Sequence, residues 1–352
     1  MYSFMNDYSE GAHPEIIQEL LKTNDEQTGG YGQDIYTERA VEILKEKIND
    51  DKVDIHFLTG GTQTNLTAVS AFLRPHEAVI AAETGHVATH ETGAIEATGH
   101  KVITMKTIDG KLTVPLIHNA YAKHTDEHMV TPKLVYISNP TEVGTVYSRK
   151  EINDIYMYCQ SNKMLLYIDG ARLGSALMTR YNDMLLVDYP RMSDAFYIGG
   201  TKMGAFFGEA LVICNPSLKD NFRSMMKQKG ALLAKGRILG IQFETLFRKN
   251  LYFNIGKHEN EMAEMLRQGI SKLGYTFLYD SPSNQIFPVF ENSIIEMLRS
   301  KFTFSVWEPV NETHSAIRLV TSWATDQEMV EAFLLELANI TEVCEISSEM
   351  ED

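Results

Sequence analysis

The chain has 352 residues and a net charge of −15, with 44% hydrophobic and 22% charged residues. At roughly 100–200 residues per domain, this is two domains or one large α/β domain, long enough to bury a core without staples. The acidic balance argues against broad nucleic-acid binding, which needs a dense basic surface. No apolar run approaches the roughly 20 residues of a membrane helix. The opening residues Met1 to Asp7 lack the basic and apolar stretches of a secretory signal. Cys159, Cys214 and Cys344 are far apart and form no CxxC, which suits a reducing cytosol rather than a disulfide framework or a zinc site.

In chain order, the spacing predicts a helix over 38–48, a strand over 53–58, a helix over 62–73 and a strand over 78–82. A strand at 134–138, a helix at 149–162 and strands at 164–168, 195–198 and 210–213 follow. Continuous apolar strands alternating with helices are the signature of a mainly parallel α/β sheet covered on both faces. From about 235 to 273 the pattern is one long helix. Strands are then expected at 275–279, 285–289, 303–307 and 316–320, with a last helix at 325–337. This divides the chain into a large domain over 1–245 and a small C-terminal α+β domain over 246–345. Residues 346–352 read as a frayed acidic tail.

Three features carry chemistry. Leu58-Thr59-Gly60-Gly61-Thr62 leads from a strand through a glycine turn into a helix. Amides at a helix start bind anions, and glycine lets a phosphate come close. A plain βα turn with Thr62 as N-cap accounts for the same residues. Asp169 ends an apolar strand, at the edge where open α/β sheets bind ligands. A buried carboxylate there needs a cation, either Arg172 or a protonated ring nitrogen of a cofactor. Lys202 follows a further strand, in Gly199-Gly200-Thr201-Lys202-Met203-Gly204. An isolated loop lysine is ordinarily exposed. A partly desolvated one has a lowered pKa and forms Schiff bases. Anion turn, strand-end Asp and strand-end Lys are together the parts that pyridoxal 5′-phosphate needs.

The ordered set resembles the pyridoxal-phosphate enzymes of the aspartate-aminotransferase fold (fold type I). Within them it is most similar to the low-specificity threonine aldolases, grouped with the β-eliminating lyases. The resemblance runs through Phe4-Met5-Asn6-Asp7, Gly30-Tyr31-Gly32-Gln33-Asp34, Phe57 to Asn65, His86 to Gly93, Ile168 to Arg172, Lys202 and Arg318-Leu319-Val320-Thr321. It implies a seven-stranded type of central sheet. It also implies that Lys202 holds the cofactor aldehyde, Asp169 its ring nitrogen, and Gly61 and Thr62 its phosphate, with Thr201 a weaker phosphate ligand. His86 would stack on the ring, oriented by His90 or Glu91. Arg172 would lie beside the phenolic oxygen and the substrate, with Asn139 also in reach of that oxygen. Arg318 would clamp the substrate carboxylate, with Asn6 near it. Tyr31, Lys235 and Arg237 would reach a neighbouring subunit's site in a cytoplasmic homodimer or homotetramer. No metal is implied.

One segment departs from the family. Where typical threonine aldolases carry Glu-Asn-Thr-His-Asn, this chain has Ser138-Asn139-Pro140-Thr141-Glu142-Val143-Gly144, which lacks the His and is one residue longer. The expected reaction is cleavage of a β-hydroxy-α-amino acid to glycine and an aldehyde, with His86, Glu91 or water open as the hydroxyl base. β-Elimination or transamination on the same cofactor is the alternative. A non-catalytic ligand-binding protein is a further one, against which Lys202 and Asp169 count.

Overall fold

The computed structural model describes residues 1–349, with side chains through residue 343. In chain order its first strands are β1 (Tyr2–Ser3), β2 (Asp54–Leu58), β3 (Glu77–Ala82), β4 (Val102–Met105), β5 (Thr131–Ser138), β6 (Leu165–Asp169), β7 (Ala195–Gly199) and β8 (Glu209–Ile213). The later ones are β9 (Gln285–Ile286), β10 (Val289–Glu291), β11 (Phe302–Thr303), β12 (Ser305–Pro309) and β13 (His314–Val320).

A seven-stranded sheet runs in the order β2-β8-β7-β6-β5-β3-β4. It is parallel from β7 through β4, and β8 alone runs against its neighbours. Side chains alternate between its two faces, as strand geometry requires. Val135, Ile137, Leu166, Ile168, Phe196 and Ile198 enter one core. Tyr136, Tyr167, Ala195 and Tyr197, from the same strands, enter the other. Apolar residues on both faces explain why these strands read as continuous apolar runs.

The expected strands of the large domain appear within a residue or two, except that β5 begins three residues early, at Thr131, and the mainly parallel sheet is as anticipated. The helix Pro14–Thr23, strand β4 and the helix Val114–Ala122 were not foreseen. The long helix expected over 235–273 is two, Arg237–Arg248 and Leu251–Lys272. Between them Asn250 takes a left-handed conformation at φ 59°, which asparagine tolerates. The second helix joins the two parts of the molecule. Leu251, Tyr252 and Ile255 pack in the first core, and Met262, Leu266 and Ile270 in that of the small C-terminal sheet.

Proline reshapes the small sheet. Pro288 offers no N–H, so 285–289 splits into β9 and β10, and 275–279 keeps a single bridge, Phe277 to Pro288. The first residues, grouped by sequence with the large domain, pair instead with β11, and Phe4 packs among the small sheet's core residues. The expected frayed tail is helical through Glu349, the end of Gln327–Glu349, and its last three positions lie outside the described residues.

The ends of β6 and β7 fit together through glycine. Gly199 N–H donates to the Gly170 carbonyl at 2.9 Å. A Cβ on Gly170 would stand 2.0 Å from the Tyr197 carbonyl oxygen, and one on Gly199 2.2 Å from that of Ala171. Gly170→Ala is therefore expected to push the two strand ends apart and cost at least about 2 kcal/mol. A denaturant midpoint unchanged from wild type would contradict this.

Candidate active site

Every site element leaves the C-terminal edge of a parallel strand. Gly60 to Thr62 follow β2, His86 follows β3, Ser138 to Glu142 follow β5, Asp169 ends β6 and Lys202 follows β7. They meet in a cleft of about 370 Å³ lined also by Tyr8, Arg172, Tyr197 and Glu209. A second compartment of about 240 Å³ adjoins it and reaches Gln285, Trp307 and Arg318 of the small domain. Tyr8, His86, His90, Glu142, Arg172 and Lys202 line both.

The phosphate turn is built for an anion. Gly60, not Thr62, occupies the cap position of the helix Gly61–Phe72, and no side chain caps it. The first-turn amides therefore stay open toward the cleft, where the helix dipole favours negative charge. A Cβ at Gly60 would meet nothing within 4 Å, so the space above the turn is free. The Thr201 hydroxyl donates to Glu209 Oε1 at 2.9 Å and accepts from Gly208 N–H at 3.0 Å. It shapes the lysine turn.

Asp169 is buried, yet among the described residues it has no cation within ion-pair distance. Its donors are neutral: Ala171 N–H at 2.9 Å, Asn65 Nδ2 at 3.3 Å and the Tyr136 hydroxyl. Arg172, the protein cation weighed as its partner, pairs instead with Asp7, Nε to Oδ2 at 2.5 Å. A carboxyl group held by neutral donors, with room for a cation at the cleft, fits the protonated ring nitrogen of pyridoxal phosphate.

His86 presents its ring to the cleft. Its Nδ1 lies 2.7 Å from Glu91 Oε1, and Asn65 Nδ2 donates to that same oxygen at 2.7 Å. The Glu91 side chain is fully enclosed, so it orients His86 from behind and does not line the cleft. The Lys202 amine stands 6.0 Å from the Tyr8 ring. Burial, then the Arg172 guanidinium, lower its pKa, which favours the nucleophilic free amine. Burial pushes Glu209 up to about 8, so it carries its proton at neutral pH while accepting from Gly200 N–H at 3.0 Å.

Arg318 stands with its guanidinium carbon 5.4 Å from the Trp307 ring and has no carboxylate partner among the described residues. A substrate carboxylate would supply one. Asn6 turns into its own loop, accepting from Tyr8 N–H at 2.9 Å, and does not line the cleft. Asn139 also lies off the cleft. Its amide donates to the Tyr189 hydroxyl at 2.8 Å and its carbonyl accepts from Tyr147 N–H at 3.1 Å. Tyr31 lines a separate apolar pocket with Arg223. Arg237 does not reach outward. It donates to the carbonyls of Glu26, Thr23 and Asn24 at 2.6, 2.9 and 3.0 Å, tying down the segment after the helix Pro14–Thr23. Lys235 remains exposed. No group of three or more metal-ligating side chains occurs among the described residues.

Sequence reasoning assigned nothing to Asp7, Asn65, Tyr136, Glu142 or Glu209. Glu142 had a usable signal: an acid among apolar neighbours, in a loop at the ligand edge of a strand. Asp7 had none, since its partner Arg172 is 165 positions away.

The Asp7–Arg172 pair is expected to set the stability of the whole junction. Burial alone would raise the Asp7 carboxyl, but Arg172 and Lys202 hold it below the ordinary carboxylate value. A depressed pKa gives stability that is present above the unfolded carboxylate value and is lost as pH falls through the folded one. Asp7→Ala is expected to cost about 3–5 kcal/mol at neutral pH, because it strands a buried guanidinium. The loss relative to wild type is expected to shrink in acid. Equal stability of the two proteins at pH 7 would refute it.

The chain matches the model of the beta-eliminating lyase family over residues 10–292. It is 30% identical to the low specificity L-threonine aldolase of Pseudomonas aeruginosa, over 93% of this chain and 94% of that one. A solved Leishmania major threonine aldolase superposes with a TM-score of 0.96 at 49% identity, covering 97% of this chain and all of the other. A histidinol-phosphate aminotransferase of Clostridium acetobutylicum shares the fold alone, at TM-score 0.72 and 12% identity. With the fold type and the pyridoxal-phosphate site geometry in place, the chain belongs to the beta-eliminating lyase family, as a pyridoxal-phosphate-dependent lyase.

Proposed function

We propose that the chain cleaves a β-hydroxy-α-amino acid, threonine or a close relative, to glycine and an aldehyde. The observation that carries this reading is the pair of compartments meeting at Lys202. The inner one holds the open phosphate turn and an Asp169 that has no cation within ion-pair distance among the described residues. The outer one ends at an Arg318 that has no carboxylate partner among them. The threonine-aldolase names of the relatives support it.

When bound, pyridoxal phosphate supplies a ring that accepts the electron pair left on Cα as a bond there breaks. The chain does the rest by placement. The Gly61–Thr62 helix start binds the phosphate. Asp169 keeps a proton on the ring nitrogen. His86 offers a flat face, held at Nδ1 by Glu91. Lys202 would hold the aldehyde through its free amine and, once released, would stand beside Cα, placed to hand a proton to it. Arg318 fixes the carboxylate by two parallel hydrogen bonds and so sets which bond at Cα faces the ring.

We also propose a cytoplasmic homodimer or homotetramer, with the Tyr31–Lys235 edge lying near another copy's site. The free thiols Cys159 and Cys214 support the reducing compartment. The half-exposed Tyr31 ring, with the Lys227 amine 4.4 Å from its centroid, supports the edge as a contact surface. Among the described residues no helix is long and apolar enough to cross a membrane. A sedimentation experiment returning a fully active monomer would reject the assembly.

The test of the reaction is a product assay over a panel of amino acids. Glycine plus aldehyde is expected; pyruvate with ammonia, or a keto acid, as main product would reject aldol cleavage. Lys202→Ala is expected to lose both turnover and the near-visible absorbance band that borohydride bleaches. Asp169→Asn is expected to keep cofactor binding and lower kcat about 10²–10³-fold. An Asp169→Asn enzyme at the wild-type rate would reject the assigned ring orientation.

A further inference from the structure

We propose that Glu142 is the base that takes the β-hydroxyl proton of the substrate. The inference rests on the aldol-cleavage reading above and names the residue that the sequence left open.

Glu142 lines both compartments, at the junction between Lys202 and Arg318. A substrate with its amine toward Lys202 and its carboxylate on Arg318 has only its side chain left to place. The walls shared by both compartments are where that side chain can go. There the basic side chains other than Lys202 and Arg172 are His86, His90 and Glu142. His86 is committed through Nδ1 to Glu91, and Glu91 itself is sealed behind it. His90 is exposed, and burial of its ring edge together with the nearby His86, Arg318, Lys202 and Arg172 lowers its pKa.

The Glu142 carboxylate is aimed rather than loose. His86 N–H donates to Oε1 at 2.8 Å, and the Ser138 hydroxyl donates to the same oxygen at 2.7 Å. Both donors fall on one oxygen, which leaves Oε2 without a hydrogen bond from another residue among the described residues. The loop that carries it is fixed. Thr141 N–H donates to the Thr145 carbonyl at 2.9 Å, and Gly144 N–H donates back to Thr141 at 2.9 Å. Gly144 sits at φ +81° with a Cβ position 2.0 Å from Ser281 Oγ, so only glycine closes this turn. The loop is the one that differs from the family pattern in both length and residues. Burial, ahead of the opposing hydrogen bond from Ser138, raises the Glu142 pKa above the ordinary carboxylate value. That moves it toward the working range of a base at neutral pH.

The step balances. The β-hydroxyl proton passes to Glu142, and the O–H pair becomes the second bond of the aldehyde carbonyl. The Cα–Cβ bond breaks and its pair remains on Cα. A proton then adds at Cα to complete glycine, and Glu142 returns its proton to solvent.

The test uses Glu142→Gln in the holoenzyme, with two readouts. On threonine, kcat is expected to fall about 10²-fold or more while KM moves little. The wild-type rate is expected to fall as acid protonates Glu142, at a pH above the ordinary carboxylate range, and this limb is expected to be missing from E142Q. Independently of activity, 13C-labelled glutamate carboxyls of the substrate-free protein titrate, and among the resonances that do so above the ordinary range, such as that of Glu209, one is expected to be absent from E142Q. An acid limb that survives in E142Q but disappears in His90→Asn would overturn the assignment, as would the absence of that resonance from wild type. Should E142Q not fold, Glu142→Asp keeps a titrating carboxyl but withdraws it, and a wild-type kcat in E142D would equally overturn it. A wild-type protein that releases no glycine from any β-hydroxy-amino acid would reject the aldolase reading and the base role with it, whereas glycine release that E142Q leaves unchanged would reject the base role alone.

Discussion

A carboxyl group at the buried end of a central strand, with no cation within ion-pair distance among the described residues, is the constraint around which this site is arranged. Asp169 is held by an amide, an asparagine and a tyrosine hydroxyl. Each of these is itself fixed. Asn65 also donates to Glu91 and accepts from the Tyr167 hydroxyl at 3.1 Å. Glu91 in turn sets the ring of His86. Tyr136 lies 3.4 Å from Ser138 Oγ, and Ser138 donates to Glu142. The orientation of the group above the cofactor and that of the carboxylate beside the substrate thus both trace back to one strand end. Neutral donors fix the carboxyl group without supplying a cation, which leaves that place to a protonated ring nitrogen.

The other charges of the cleft are kept from neutralising Asp169. Arg172 is turned away by Asp7, which Asn284 Nδ2 also contacts at 3.0 Å. Glu209 carries its proton at neutral pH, so it adds no second full negative charge beside Lys202. Asp7 is placed by the first strand, which pairs with β11 of the small domain through Tyr2 and Phe302, in a two-stranded sheet of their own. Asn284, Trp307 and Arg318 come from the small C-terminal sheet or its approach. The charge pattern of the large domain is therefore complete only when the small domain and the N-terminal strand are docked on it. Coupling of this kind makes the active site a reporter of the whole assembly of the chain.

Much of this was legible because it is local. Strand ends that carry Gly-Gly-Thr, Asp and Lys announce themselves within a few residues, and continuous apolar strands identify the covered sheet. The parts that escaped depend on contacts far along the chain. Arg172 and Asp169 are neighbours in sequence, but a partner 165 positions away decides where the guanidinium points. Arg237 read as a cation free to reach a neighbour because nothing local shows that three carbonyls lie over it. Asn139 read as a cofactor ligand, but Tyr189 and Tyr147 claim both ends of its amide from inside the core. The split of the long helix at Asn250 carries only a weak local mark, since asparagine is common within helices too.

The loop that carries Glu142 follows the same charge logic. An imidazole that takes a proton becomes a cation, and this cleft already holds Arg172, Lys202 and Arg318. The effect is visible on His90, whose pKa is lowered by burial and then by those neighbours. A carboxylate that takes a proton becomes neutral instead, and the cations do not oppose the product through repulsion. Their cost is to make it a weaker base, by favouring the charged form. Burial acts in the opposite direction on Glu142, and there burial is the larger influence. A half-buried carboxylate on a fixed turn thus takes up the proton without adding a further positive charge to the site.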